Sequence, residues 1–222
     1  MDDKRLTIFA GHYGSGKTNI AVNYAVRLAK EGKKVCIADL DIVNPYFRTK
    51  DSEEELNEYG IHLISPQYAN TNVDLPALPA ESYRLVQDKS VYGVMDIGGD
   101  DRGAYALGRY AGAIKSEDNY RMAFVVNFFR PLTPSARDAV LIMREIEHAA
   151  GISFNCIVNN SNLGTLTTKQ NIIDSLSLTE ELCRMTGLPL WMHTAEASVA
   201  EQISEFPIMP LKLQKKYFDL PV

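Results

Sequence analysis

Eight residues near the amino terminus, Gly11-His12-Tyr13-Gly14-Ser15-Gly16-Lys17-Thr18, meet the spacing G-x-x-x-x-G-K-[ST] at every fixed position. That spacing serves phosphate binding. Glycines let the backbone wrap tightly enough for successive N–H groups to face phosphate oxygens. Lys17 can reach the outer phosphates, and the Thr18 hydroxyl can ligate a magnesium ion bridging them. With Asn19, these residues form the expected nucleotide contact. Carboxylates recur further along. Asp39 and Asp41 lie at strand spacing i, i+2 and point to one side. Asp96 closes an apolar run just before Gly98-Gly99, a pattern suited to holding a magnesium water shell. Those glycines let backbone N–H groups approach a terminal phosphate.

The elements around the loop read consistently with this chemistry. Leu6 to Ala10 is a buried strand running into the loop. Ile20, Ala21, Tyr24, Ala25 and Leu28 follow at helical spacing, with Gly32 as the stop. Strand, loop and helix N-terminus together put about half a unit of positive charge where phosphates sit. Lys33 to Asp39 is a second strand, which makes a βαβ unit. The acids from Asp51 to Glu55 read as a helix start with a Ser52-x-x-Glu55 capping box, in preference to a metal cluster.

Ile61 to Ile64, Val91 to Ile97, Met122 to Asn127 and Phe154 to Val158 are further strands, and Glu81 to Asp88 is a short helix. Ser65 to Pro79 is too irregular for a regular element, and loops of that length are often functional. Thr133-Pro134 is expected to cap and begin the best helix in the chain, with Ala136, Val140, Met143, Glu147 and Ala150 along one face, Ile146 and Ala139 widening it, and Gly151 at its end. Asn159-Asn160-Ser161-Asn162 follows the late strand. A helix is expected between Thr168 and Thr186, a last edge strand over Leu188 to Met192, and a final helix from Ala195 to Ser204. The apolar residues of the tail, Leu211 to Leu220, are expected to dock on their own domain. Alternating strands and helices without a repeat or linker imply one α/β domain over residues 1–222, a mainly parallel sheet between helical layers. Ligands should then bind beyond the carboxyl ends of the strands.

Composition narrows the function classes. A net charge of −5 disfavours a broad nucleic-acid surface, and no nucleic-acid partner is expected. No apolar run approaches membrane-spanning length. Met1-Asp2-Asp3-Lys4-Arg5 has no signal-peptide pattern, so the cytoplasm is the expected compartment. Cys36, Cys156 and Cys183 are widely separated and read as reduced thiols, and His12, His62, His148 and His193 lack metal-ligand spacing.

On these motifs the chain resembles the MinD/ParA/CobQ-like, SIMIBI-class division of P-loop NTPases, over nearly its whole length. The resemblance implies a three-layer P-loop NTPase fold with ATP and Mg2+ as cofactors. It places Thr18, Asp39, Asp41 and Asp96 around the metal, Asp41 orienting the attacking water beside Lys17, and Asn159 or Asn160 reading the base. It departs from the family at His12, where many members carry a lysine that reaches across a dimer. An imidazole is shorter and is not a permanent cation. Arg48 and Arg130 are alternative sources of transition-state charge. The asparagine run also lacks the lysine and aspartate of [NT]-K-x-D, which favours adenine over guanine.

The implied function is a slow Mg-dependent ATPase that acts as a nucleotide-gated switch for an unidentified protein partner, with a homodimer possible. One alternative is an ATP-dependent ligase or small-molecule kinase like the dethiobiotin and cobyrinate synthetases, motivated by the 65–79 loop and Asp100-Asp101-Arg102. Another is a non-hydrolysing scaffold, motivated by His12.

Overall fold

The computed structural model describes residues 3–40, 49–65, 81–99 and 101–214. In chain order, β1 (Leu6–Ala10) leads to α1 (Lys17–Lys30) and β2 (Val35–Leu40). A 3₁₀ turn (Thr49–Ser52), α2 (Glu53–Glu58) and β3 (His62–Ile64) follow, then α3 (Ser82–Gln87) and β4 (Tyr92–Ile97). Next come α4 (Asp101–Gly108), α5 (Ala111–Glu117), β5 (Tyr120–Val126), α6 (Ala136–Ala150) and β6 (Cys156–Asn159). The chain continues through α7 (Lys169–Asp174), α8 (Leu176–Thr186), β7 (Leu190–Glu196), α9 (Ala197–Ala200) and β8 (Ile208–Leu211).

The eight strands form one sheet in the order β3-β2-β4-β1-β5-β6-β7-β8. Every described pairing is parallel. A parallel sheet must be covered on both faces, and the strand sequences obey that demand. Along β1, Leu6, Ile8 and Ala10 enter the core beneath α3, α4, α6 and α8, while Phe9 enters the opposite core beneath α1. β5 divides likewise, with Met122, Phe124 and Val126 to one side and Ala123 and Val125 to the other. The result is a three-layer α/β/α domain. From β1 the chain moves outward to β2 and β3, returns through β4, and crosses to β5 on the far side. The direction reverses at β1, and the crevice outside its carboxyl end is where a doubly wound sheet binds ligand.

Several local expectations are corrected by tertiary contacts. The main helix begins at Ser135, whose hydroxyl accepts the Asp138 N–H, and not at Thr133. The Thr133 hydroxyl instead donates to the Asn127 carbonyl at 2.7 Å. No capping box forms at Ser52, because its Oγ accepts from the Gln214 side chain at 2.6 Å. A capping box does form at Thr168, with Asn171 in the reciprocal role. Two helices, α7 and α8, replace the single one expected after it. β7 is not the edge, since β8 pairs with it through Ala195↔Pro210 and its neighbours. Proline is tolerated there because an edge strand leaves one side of its ladder open. With β7 extended to Glu196, the final helix shrinks to one turn, Ala197–Ala200. Leu211 is buried in the α1-side core, and the Gln214 N–H donates to Asn19 Oδ1 at 2.9 Å, so the described start of the tail docks on its own domain. The expectations for Asp41, Arg48, Asp100, most of the 65–79 loop and the end of the tail lie outside the described residues. No described helix is long and apolar enough to cross a membrane.

Phe124 is fully buried in central β5 and meets Phe154 edge-on, ring centroids 5.2 Å apart. Phe124→Ala should destabilise the domain by about 3–5 kcal/mol, measured by urea unfolding. A loss below about 1 kcal/mol would show that this side of the core repacks freely.

Candidate nucleotide-binding site

The loop between β1 and α1 owes its path to three glycines, Gly11, Gly14 and Gly16. A Cβ on Gly11 would stand 2.2 Å from the Val125 carbonyl oxygen, so β5 closes directly over the start of the loop. Gly14 and Gly16 adopt φ of +77° and +86°, the left-handed region that favours glycine. A Cβ on Gly16 would also lie 2.2 Å from Asn160 Nδ2. Within the loop the Ser15 N–H donates to the His12 carbonyl at 3.1 Å, and Lys17 Nζ donates to the same carbonyl at 3.0 Å. Lys17 is buried, so its ammonium spans the loop and does not extend into solvent. Ser15 Oγ is buried without a hydrogen-bond partner among the described residues, a polar atom left for a ligand to satisfy.

β2 and β4 bring the carboxylates to this crevice. Asp39 and Asp96 are register partners on adjacent strands, and both are buried. The Thr49 hydroxyl donates to Asp96 Oδ2 at 3.1 Å. The turn after β4 touches the loop through backbone alone: a Cβ on Gly99 would be 2.5 Å from the Tyr13 nitrogen. A Cβ on Gly103 would in turn meet Gly98 backbone atoms at 2.7 Å, which seats α4 against that turn.

The set of oxygen donors suits a hard cation. Thr18, Asp39 and Asp96 offer a hydroxyl and carboxylates, and no cluster of three or more His, Cys, Asp or Glu side chains forms among the described residues. A magnesium ion held by one or two carboxylates plus substrate phosphates needs no such cluster.

The remaining candidate residues have other partners. Asn19 Oδ1 accepts from Gln214, as above, and its carbonyl accepts from Asn23 at 2.7 Å. The His12 Nδ1–H donates to the Tyr13 carbonyl at 2.8 Å, and the Tyr13 ring is exposed. Asn160 Nδ2 donates to the Ser15 carbonyl at 2.7 Å, while its Oδ1 accepts from the Thr194 hydroxyl at 2.7 Å. It therefore clamps the loop to β7. Asn159 faces inward: Nδ2 donates to Ser175 Oγ (2.8 Å) and contacts His193 Nδ1 (3.1 Å), and Oδ1 accepts from the Ser161 hydroxyl at 2.7 Å. Both amides are occupied within the protein. Composition and periodicity carried no signal for this network, because its members come from the phosphate loop, the end of β6, the N-cap of α8 and β7.

Burial pushes His193 below its ordinary pKa of 6.5. The Asn159 amide donates to Nδ1, which fixes the neutral tautomer with its proton on Nε2. The unfolded chain takes up the second ring proton, at Nδ1, more readily, so the stability from His193 is complete above about pH 6.5 and is lost as pH falls below it. Unfolding free energies at pH 7.5 and 5.5 should therefore fall more in the wild type than in His193→Gln. Equal falls would remove His193 from the network. Gly16→Ala should be more disruptive to the loop itself. Its left-handed φ costs about 1–2 kcal/mol, and the added methyl displaces Asn160. The variant should still fold by circular dichroism, with nucleotide-induced thermal stabilisation abolished; a full shift would refute the clamp.

Residues 6–183 match the family described as the CobQ/CobB/MinD/ParA nucleotide binding domain. No curated protein matches the sequence. Among solved structures, the cell division protein FtsY of Thermotoga maritima superposes with a TM-score of 0.59 at 17% identity, over 88% of this chain and 63% of that one. Chloroplast FtsY from Physcomitrella patens gives 0.58 at 17% identity, over 85% and 57%. The 54 kDa signal recognition particle protein of Aeropyrum pernix, solved in complex with GDP, gives 0.55 at 17%, over 87% and 41%. The chain thus spans less than two thirds of the length of these structures, and the likeness is one of fold. The resemblance drawn from the motifs over nearly the whole length and the family match over residues 6–183 agree: this chain belongs to the CobQ/CobB/MinD/ParA nucleotide-binding domain family.

Proposed function

We propose that the protein is a Mg-dependent ATP-binding switch with slow intrinsic hydrolysis. The observation that carries this reading is the convergence of the glycine loop, buried Lys17 and paired Asp39 and Asp96 at the carboxyl end of β1. In this reading the loop N–H groups and Lys17 bind the β- and γ-phosphates, and Lys17 exchanges the His12 carbonyl for phosphate oxygens. Thr18 and Asp96 hold the magnesium ion, with Asp39 supporting its water shell. The metal, when bound, neutralises charge on the terminal phosphate. Asp41, two residues beyond Asp39, is assigned to orienting the attacking water. The Gly98-Gly99 turn abuts Tyr13 of the loop, so a change in phosphate occupancy is felt where α4 begins.

Adenine is favoured over guanine by the residues after β6. Asn159-Asn160-Ser161-Asn162-Leu163-Gly164 supplies no carboxylate to accept from the guanine N1–H and amino group. The readout is a partner protein whose affinity depends on the bound nucleotide, with turnover on the order of 10⁻⁴ to 10⁻² s⁻¹ without an activator.

Thermal shifts with Mg-ATP, Mg-GTP and each nucleotide without metal test this directly. Mg-ATP should raise the melting temperature of the wild type and leave Lys17→Ala unmoved, with a smaller response to Mg-GTP. An unchanged shift in Lys17→Ala would place the nucleotide elsewhere. Hydrolysis stimulated by a small metabolite in the absence of any protein would replace the switch by a ligase or kinase.

A further inference from the structure

Arg130 reaches the phosphate loop from the turn after β5, a strand that carries no part of the motif. β5 ends at Val126, and buried Asn127 then fixes the turn that follows. Asn127 Oδ1 accepts the N–H groups of Phe129 (3.0 Å) and Asn162 (3.1 Å). Its carbonyl accepts the Arg130 N–H at 3.2 Å, as well as the Thr133 hydroxyl already described. Arg130 therefore starts from a backbone position held on several sides. Its Nε donates to the Gly14 carbonyl at 3.0 Å. The guanidinium lies close against that residue, since a Cβ on Gly14 would be 3.3 Å from Nε and 3.5 Å from Cζ.

That bond uses one of the five N–H donors of the guanidinium. Nη1 and Nη2 have no hydrogen-bond partner among the described residues, and the side chain is exposed. An arginine held through Nε keeps its two-nitrogen fork free, and this fork matches the spacing of phosphate oxygens. The Gly14 contact also holds an otherwise mobile side chain in place, so less freedom is lost when the fork engages. His12 differs, because its Nδ1–H is turned back onto the Tyr13 carbonyl.

We propose that Arg130 is a phosphate-binding residue acting in cis. With nucleotide in the loop, its Nη1/Nη2 fork hydrogen-bonds the phosphate chain from the outer rim while Lys17 binds it from within. This rests on the nucleotide site proposed above. It also makes a second phosphate cation part of the same chain, so hydrolysis needs no second copy of the protein.

Calorimetric titration of wild type, Arg130→Gln, Arg130→Lys and Lys17→Ala with Mg-ATP and Mg-ADP tests the assignment. Arg130→Gln should weaken binding about tenfold or more, with the melting temperature of the nucleotide-free protein unchanged. Arg130→Lys should recover part of that loss through its charge. Wild-type turnover per chain should be independent of protein concentration. Wild-type affinity in Arg130→Gln, while Lys17→Ala fails to bind, would overturn the role of Arg130 and leave the nucleotide site intact. Equal losses in the glutamine and lysine variants, with a lowered melting temperature, would reduce Arg130 to a structural pin on Gly14. Turnover that rises with protein concentration would overturn action in cis. Undiminished binding by Lys17→Ala would instead remove the site on which the inference rests.

Discussion

The bond from the Asn160 amide to the Ser15 carbonyl, 2.7 Å long and buried, is the contact on which the loop's geometry depends. It forms because Gly16 has no side chain; any Cβ there would occupy the position of the amide nitrogen. Asn160 is itself held by Thr194, so the loop is referenced to β7 as well as to its own strand and helix. A loop that must present several N–H groups to one anion gains most from such fixing, because preorganised donors need not be reordered on binding. The neighbouring residues His193 and Asn159 brace the same region from beneath, one strand position away.

The sheet supplies the second constraint. Parallel strands buried on both faces can release their polar groups only at the ends. Asp39 and Asp96 are placed by register on adjacent strands at that boundary, with apolar Ile37 and Val94 immediately behind them in the core. Thr49 satisfies one oxygen of Asp96. Charge is thereby concentrated at one edge of an otherwise apolar slab, where a low local dielectric strengthens its attraction for a cation.

Backbone-to-backbone contact links the site to the rest of the fold. Gly99 meets Tyr13, and Gly103 meets Gly98, at distances that admit no side chain. The start of α4 is therefore seated against the loop through glycine backbone, with no intervening side chain at Gly99 or Gly103. α4 packs in turn on α6, within the core that contains Leu107 and Met143. The α1 side is braced differently, with Asn19 and Asn23 hydrogen-bonded to the chain segment after β8.

The fold and the phosphate loop were legible in the sequence because their signals are local. The spacing Gly11 to Thr18, the continuous apolar runs of β1 and β5, and the acids after apolar runs each follow from residues a few positions apart. The asparagines after β6 show where local reading stops. Their types suggested base recognition, yet their amides hold Ser15, Ser175 and His193, which are 16 or more positions away in sequence. Thr133 and Ser52 looked like helix caps, but Asn127 and Gln214 are their partners. β8, with Pro210 inside it, falls after the last element expected from the sequence, and pairing with β7 made it a strand. Arg130 stood out in sequence only as one available cation; its position on Gly14 arises from the adjacency of β5 and β1. By itself the sequence determined the layers, the loop and the side of the sheet where ligand belongs, since helix and strand periodicities and glycine's backbone freedom act over a few residues. Tertiary structure alone decided which polar side chains remain available to a ligand, because a hydrogen-bond donor or acceptor is committed by whatever the fold brings within 3 Å of it.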